Sequence, residues 1–409
     1  MTLRKTIAGW SVALALTAGA LAPTPVQAAP PTAPEIRVAT FNASLNRAAQ
    51  GDLSRDLADG DNAQARAVAE TLQRTRADVV LLNEFDYVAD GSAVDDFRRN
   101  YLEVDQNGAE PISYPYYFIA PVNTGVPSGH DLNRNGIPGE ADDAFGFGAF
   151  PGQYGMVVLS RYPIDDAAVR TFQHFRWADM PGALLPDDPA TSAPADWYSP
   201  EVLADFRLSS KSHWDVPIRI GRETVHALVS HPTPPSFDGP EKRNATRNHD
   251  EIRFWADYVT PGANSYIYDD RGLRGGLNPS QSFVILGDLN SDPVDGDSIP
   301  GAIQQLLGNK RIIDPMPSSD GGPEAAARQG GANATHQGNP AHDTADFNDN
   351  PAPGNLRVDY VLPSRKGLLW RQAGVFWPTR NDARWARLIG DYPFPASDHR
   401  LVWVDLRVG

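Results

Sequence analysis

Gly287-Asp288-Leu289-Asn290 sets a carboxylate and a carboxamide two residues apart, directly after the apolar run Phe283-Val284-Ile285-Leu286. Such a run, bounded by Ser282 and Gly287, predicts a fully buried strand. Alternate side chains of an extended chain point the same way. Asp288 and Asn290 should therefore project together from the rim of a sheet. That pair suits a hard cation and a water held against a phosphate. Gly, Asp and Asn are also turn formers, so a strand ending in an ordinary turn is the plain alternative.

Five further phrases repeat the pattern of a polar residue within or at an end of a strand candidate. Asn42 ends Arg37-Val38-Ala39-Thr40-Phe41, and Glu84 ends Ala77-Asp78-Val79-Val80-Leu81-Leu82-Asn83. His231 follows Leu228-Val229-Ser230. Asp359 lies inside Leu356-Arg357-Val358-Asp359-Tyr360-Val361-Leu362, and Ser397-Asp398-His399 stands before Leu401-Val402-Trp403-Val404. Taken singly, each has an everyday reading. Glu84 is then a surface acid, Asp359 a partner for a nearby Arg, and His231 a satisfied loop histidine ahead of Pro232.

Six such phrases in this order resemble the endonuclease/exonuclease/phosphatase superfamily, which includes pancreatic-type deoxyribonuclease, abasic-site endonucleases, inositol-phosphate 5-phosphatases and neutral sphingomyelinases. The resemblance runs from about Ile36 to Leu406. It implies an α+β fold, a four-layer α/β/β/α sandwich of two mostly antiparallel sheets with helices on both outer faces. It implies Glu84 as principal ligand of Mg²⁺ or Mn²⁺, Asn42 beside the metal, and Asp398 sharing the ion directly or through water. Asp288 would orient or deprotonate the attacking water, and Asn290 would donate to the phosphate. His399 would contact a phosphoryl oxygen while Asp359 accepts its other ring proton. His231 would assist the leaving group, although its acidic partner is not visible from spacing. Asp288 and His399 both remain candidates for the base.

Groups to hold a phosphate must be added to that core. Lys211-Ser212-His213-Trp214-Asp215 stands directly before the strand run Val216 to Ile220, and Lys211 and His213 are expected to contact substrate. Arg380, Arg384 and Arg387, with Trp377 and Trp385, precede Asp398; Arg384 is the candidate contact there, a solvated helix face being the alternative. Arg243, Arg247, Asn248 and His249 fall near the start of a helix, where an anion can bind.

A second metal site is suggested by His130-Asp131-Leu132-Asn133-Arg134-Asn135-Gly136. Oxygen ligands at alternate positions followed by Gly match the start of a calcium loop, with Asp142 in the twelfth place where Glu is usual. Asp131, Asn133, Asn135 and Asp142 are the candidate Ca²⁺ ligands. An acidic, turn-rich loop is the alternative, favoured by Pro138 and by Gly146 and Gly148.

The elements that must carry these residues are partly legible. Ala65, Val68, Ala69 and Leu72 repeat at helical spacing, predicting a helix over 64–76 capped by Asp61 or Asn62. Ile252, Trp255, Ala256 and Val259 predict a second over roughly 244–259. The stretches 121–150, 179–200 and 315–353 read as loop insertions in a single catalytic domain spanning 29–409.

Composition narrows the function. Arg4 and Lys5, the apolar stretch from Ile7 to Leu21, and Val26-Gln27-Ala28 read as a secretory leader over 1–28, cleaved to release an extracellular protein with no stable membrane anchor. The absence of Cys excludes disulfides, thiolate ligands and cysteine nucleophiles. A formal charge of −15 opposes non-specific coating of nucleic acid, though a bound divalent cation reverses the field locally. The expected protein is a monomeric, secreted, divalent-metal phosphoesterase acting on a phosphorylated small molecule or a nucleic acid. The alternatives are an extracellular nuclease and an inactive, calcium-stabilised binding module of the same fold. A sphingomyelinase would want an exposed apolar hairpin, for which Phe145-Gly146-Phe147 is a weak candidate.

Overall fold

The run Phe283–Leu286 is apolar on both faces because both faces are covered. Val284 and Leu286 pack with Val38, Val79, Val225 and Ala227, whereas Phe283 and Ile285 pack with Ile252, Trp255 and Tyr360. Period-two alternation thus divides one strand between two cores. The computed structural model describes residues 33–409 together with 1, 2 and 9. Residues 3–8 and 10–28 of the candidate leader lie outside the described residues. Ala33–Gly409 form one compact unit.

In chain order the strands are β1 (Glu35–Leu45), β2 (Val79–Phe85), β3 (Tyr116–Phe118), β4 (Met156–Ser160), β5 (Arg170–Thr171), β6 (His213–Ile220) and β7 (Glu223–Ser230). They continue as β8 (Ser282–Asp288), β9 (Ala345–Asp346), β10 (Asn355–Leu356), β11 (Asp359–Pro363), β12 (Leu368–Val375) and β13 (Val402–Val408). One sheet has the order β12-β13-β1-β2-β4-β3 and the other β11-β8-β7-β6-β5. Pairing in these sheets is antiparallel except for β1 with β2 and β7 with β8. The architecture is a four-layer α/β/β/α sandwich.

The two parallel pairs place the main helices. Parallel neighbours need a crossover, usually helical. Ala63–Thr75 connects β1 to β2, and Arg243–Val259 connects β7 to β8. The first starts at Asn62, whose side chain accepts the Ala65 N–H, and it buries Ala65, Val68, Ala69 and Leu72. The second buries Ile252, Trp255 and Val259 against the outer face of its sheet. The same topology gathers the polar residues. Asn42, Glu84, His231 and Asp288 lie at or just beyond the carboxyl ends of the four parallel strands, where α/β sheets characteristically bind ligands.

The stretch 315–353 is more ordered than its composition suggests. It contains a helix, Gly321–Gln329, and the short β9, which pairs with β10. Gly321 tolerates no side chain, since a Cβ there would lie 2.2 Å from the Trp377 carbonyl. Such close approach is a tertiary contact without an apolar period to announce it.

Gly287 joins the two strands nearest the site. Its φ of +153° favours glycine, and a Cβ would lie 2.2 Å from the Ser230 carbonyl. Gly287→Ala should force β7 and β8 apart and cost on the order of 2–3 kcal/mol. Denaturant unfolding checks this; an unchanged midpoint would mean that the strand pair has room to spare.

Candidate active site

Asp288 is the junction of the site. It is buried, and its Cα partner across the β8–β11 ladder is Asp359. His231 approaches from the end of the parallel neighbour, with Nε2 3.2 Å from Asp288 Oδ2. Across the sandwich, Asn42 Nδ2 donates to the same oxygen at 3.1 Å, and Asn83 Oδ1 accepts the Asp288 backbone N–H at 3.2 Å. His399 Nε2 stands 3.6 Å from Oδ2. Burial alone would raise this carboxyl, but His399, His231 and Asn42 outweigh it and hold it well below the usual carboxylate range.

His399 lies between two carboxylates. Its Nδ1 is 2.9 Å from Asp359 Oδ2, and its backbone N–H donates to Ser397 Oγ at 3.0 Å. Burial disfavours the charged ring, yet Asp359 and Asp288 outweigh it and push the imidazole well above its ordinary value. Asp359 is fixed by Thr344, whose hydroxyl donates to Oδ2 at 2.8 Å and accepts the Val358 and Asp359 N–H groups. Burial pushes the Asp359 carboxyl up to about 6, against the lowering effect of His399. Asp288, Asp359 and His399 bring three ligand-type atoms within 4.8 Å of one another. His399 Nδ1 is hydrogen-bonded to Asp359 while Nε2 faces Asp288 at ion-pair distance, so the trio is better read as a charge-paired relay than as a metal cage.

The metal-ligand candidates lie beside it. Glu84 has a left-handed φ of +58° at the end of β2. Asn42 donates to its Oε1 at 3.0 Å and Asn46 to its Oε2 at 2.8 Å. Burial raises the Glu84 carboxyl, Asn42 opposes this, and the Asp398 charge raises it further. Asp398 accepts weakly from Ser44 Oγ at 3.3 Å. Among the described residues, no Lys or Arg forms an ion pair with Glu84 or Asp398. Two mutually repelling carboxylates with no cationic side chain paired to them fit a hard divalent cation. Asn42 has a different part from the one expected. Its amide nitrogen faces Glu84 and Asp288 while its carbonyl accepts the Ser44 N–H at 3.2 Å, so it braces the ligand rather than offering an oxygen.

Asn290, at φ +51°, bonds its backbone N–H to Asp288 Oδ1 and donates its amide to the Pro232 carbonyl at 3.1 Å. His231 is held against Asp288, the acidic partner that spacing did not reveal. Burial lowers its pKa to about 4, Lys211 adding to the effect, and Nδ1 has no partner. Its Nε2, turned toward Asp288, orients that carboxylate. Lys211 is buried, with no acidic oxygen within 4.0 Å among the described residues. Burial lowers its pKa, while the charges of Glu84, Glu251 and Asp288 oppose that.

Other expectations are corrected. His213 is a core residue, not a substrate contact: Nδ1 bonds Ser209 Oγ at 2.6 Å, Nε2 bonds the Glu251 carbonyl at 2.9 Å, and the ring packs on Phe254 and Trp255. Arg384 turns its guanidinium to Asp382 and lies over Phe376, so its charge is already matched. Arg387 is likewise bound to Glu70. The calcium loop closes on its own amides. Asp131 accepts the Asn135 and Gly136 N–H groups, Asn133 accepts the Asn135 N–H, and Asn135 accepts the Ile137 N–H. Asp142 lies 3.6 Å from Arg243. Asp143 instead caps Leu132, Gly139 and Glu140.

The polar start of the Arg243–Val259 helix is a clamp rather than an anion site. Glu251 accepts the Ser210 and Thr233 N–H groups at 2.6 Å each. Asn248 donates to the Thr233 and Leu289 carbonyls at 2.8 and 3.0 Å. Arg247 binds the carbonyls of Leu208 and Phe145. These bonds fix the segments carrying Lys211, His231 and Asn290. Glu251, Asn46, Asn83 and Thr344 were invisible as site residues because their partners lie far away in the chain, and Asn248 was legible only as part of a candidate anion cluster.

A family model described as the Endonuclease/Exonuclease/phosphatase family matches residues 39–399. No curated protein matches the chain. Among solved structures, it is similar to an endonuclease/exonuclease/phosphatase from Beutenbergia cavernae DSM 12333, with 17% identity, a TM-score of 0.49, and coverage of 92% of this chain and 72% of that one. For a family protein from Bacteroides thetaiotaomicron the identity is 12% and the TM-score 0.45, over 91% of this chain and 98% of that one. For a beta toxin from Staphylococcus aureus they are 15% and 0.43, over 90% and 99%.

The core role of His213 has a measurable consequence. Burial lowers its pKa from 6.5 to about 4. The unfolded ring takes up a proton below pH 6.5, whereas the folded ring resists until about pH 4. Stability from neutral His213 is therefore complete above pH 6.5 and lost as pH falls through that window, by roughly 3 kcal/mol in all. His213→Gln should flatten the dependence of Tm on pH between 6.5 and 4 relative to the unmutated protein. Parallel profiles would remove His213 from the acid-sensitive core.

Proposed function

The chain belongs to the endonuclease/exonuclease/phosphatase family, whose members are generally divalent-metal-dependent hydrolases of phosphate esters, and we propose that this one is a secreted phosphoesterase using Mg²⁺ or Mn²⁺ at Glu84 and Asp398. The observation carrying this reading is the contact of one relay, Asp359–His399–Asp288, with one braced carboxylate, Glu84, through the two-way donor Asn42. A cation bound there would neutralise phosphoryl charge and support the departing oxygen.

The protein's own groups then divide the work. Asp288 orients a water and receives its proton as the new O–P bond forms and the bond to the leaving oxygen breaks. The leaving oxygen takes its proton from solvent. His399, held as imidazolium by two carboxylates, donates to a phosphoryl oxygen. Lys211 supplies a buried positive charge that a substrate phosphate would pair. Asn290 offers its remaining amide hydrogen to the same group. Export is supported by the basic, apolar and small-residue order of residues 1–28. No helix among the described residues is long and apolar enough to cross a membrane. A monomer acting on a small phosphorylated substrate suits the charge of −15, which repels long polyanions.

Glu84→Gln nearly keeps shape and removes a charge. Hydrolysis of bis(p-nitrophenyl) phosphate should fall by a factor of about 10² or more and recover in part at high Mn²⁺. Equal activity at every Mn²⁺ concentration would take Glu84 out of the site. A second measurement addresses the relay. Asp359→Asn and His399→Ala should each reduce turnover strongly, and the double variant should be hardly worse than His399→Ala alone. Losses that simply multiply would mean the two residues act independently.

A further inference from the structure

One exposed aromatic stands beside this site on a rigid support. Phe147 is 57% exposed. It lies in the 121–150 stretch and contacts Tyr154, the ring centroids 6.4 Å apart at 36°. Both rings are anchored to segments carrying site residues. On one side, the Phe85 N–H bonds the Gly155 carbonyl at 3.1 Å, and the Tyr154 N–H bonds Asp86 Oδ1 at 3.1 Å. Tyr154 is thereby held against the end of β2, next to Glu84. On the other side, Gly146 sits so close to the Lys211 segment that a Cβ would lie 1.9 Å from the Ser210 carbonyl. The Gly146 N–H bonds the Asn123 carbonyl at 3.1 Å, and the Asn123 N–H bonds the Lys211 carbonyl at 2.8 Å. Phe147 is therefore fixed at the rim between the segment bearing Lys211 and the segment bearing Glu84.

A single exposed ring is common on a protein surface, but this one is paired with Tyr154 and set between the segments bearing Lys211 and Glu84. Resting on the phosphoesterase reading above, we infer that Phe147, backed by Tyr154, is a stacking subsite for the base of a nucleotide-type phosphate ester whose phosphate faces Lys211 and Glu84. A planar base presents a π-face whatever its sequence, and stacking on one aromatic strengthens binding severalfold to over a hundredfold. The chain's negative charge favours a mononucleotide or short nucleotide over a long polyanion. A bilayer is the poorer occupant, because one exposed ring buries little apolar area and the charge repels anionic lipid.

Adenosine 5′-monophosphate and ribose 5-phosphate separate the base from the phosphate. Calorimetric titration of the full mature chain with Mg²⁺ should give about tenfold tighter binding of adenosine 5′-monophosphate. Phe147→Ala should erase that difference with ribose 5-phosphate affinity held within about twofold, and Phe147→Trp should restore it. Equal binding of both ligands by the unmutated chain overturns the stacking subsite and leaves the phosphoesterase reading intact. Equal weakening of both ligands in Phe147→Ala also overturns it, as a mere loss of folding support. So does a Phe147→Ala variant that loses only affinity for phosphatidylcholine vesicles, since Phe147 would then be a membrane contact. If the unmutated chain binds neither ligand, the stacking subsite is overturned, while hydrolysis of bis(p-nitrophenyl) phosphate decides the phosphoesterase reading separately.

Discussion

A carboxylate buried where two sheets meet is costly unless every oxygen is matched. Asp288 meets that constraint through groups from both halves of the sandwich: His231 and Asn290 from its own sheet and the chain that follows it, Asn42 from the facing sheet, and His399 just ahead of β13, while Asn83 Oδ1 accepts its backbone N–H. Removing any donor would leave charge in a low-dielectric interior. The geometry of the site and the register of the two sheets are therefore one problem, solved by the Asp288–Asp359 pairing on β8 and β11 and by the Asn42–Asn83 pairing on β1 and β2.

Strain accumulates around this junction. Ser44, Glu84 and Asn290 all have left-handed φ values, each costing on the order of 1 kcal/mol or more. The register shift between Asn42 and Leu45 in the β1–β2 pair belongs to the same distortion. Strand ends that simply continued would aim successive side chains to opposite faces. Turning the chain at Glu84 and Asn290 directs their side chains along the rim instead. The surrounding bonds from Asn42, Asn46 and Asn248 hold those turns in place, so the strain is spread over a network with many long-range contacts.

The Arg243–Val259 helix works on both its faces. Its apolar side covers the second sheet, while Arg247, Asn248 and Glu251 reach the backbone of site-bearing segments. Buried ionic groups of this kind gain from bonding to backbone amides and carbonyls that would otherwise lie unsatisfied. The 315–353 stretch makes a similar contribution through Thr344, and the 121–150 stretch through Asn123.

The amino-acid order by itself determined the cores of β1, β2, β6, β7, β8, β11 and β13, the two long helices and the polar residues within or at the ends of those strands. Period-two and period-3.6 apolar patterns are local, and so are Gly287 and the Asn62 cap. Asn42, Glu84, Asp288, Asp359 and His399 were legible because a polar residue ending or interrupting an apolar run is conspicuous wherever its partner lies. Only the tertiary structure decided what each did. His213 and Lys211 are two residues apart, yet one faces Phe254 and Trp255 and the other stays without an ionic partner near the site. Asn42 bonds to Glu84 and Asp288, His231 lies against Asp288, and Asp142 lies near Arg243, contacts that depend on groups supplied from elsewhere in the chain. Hydrogen bonding is directional and contact-range, so sequence spacing cannot assign it across a fold that joins residue 42 to residue 288.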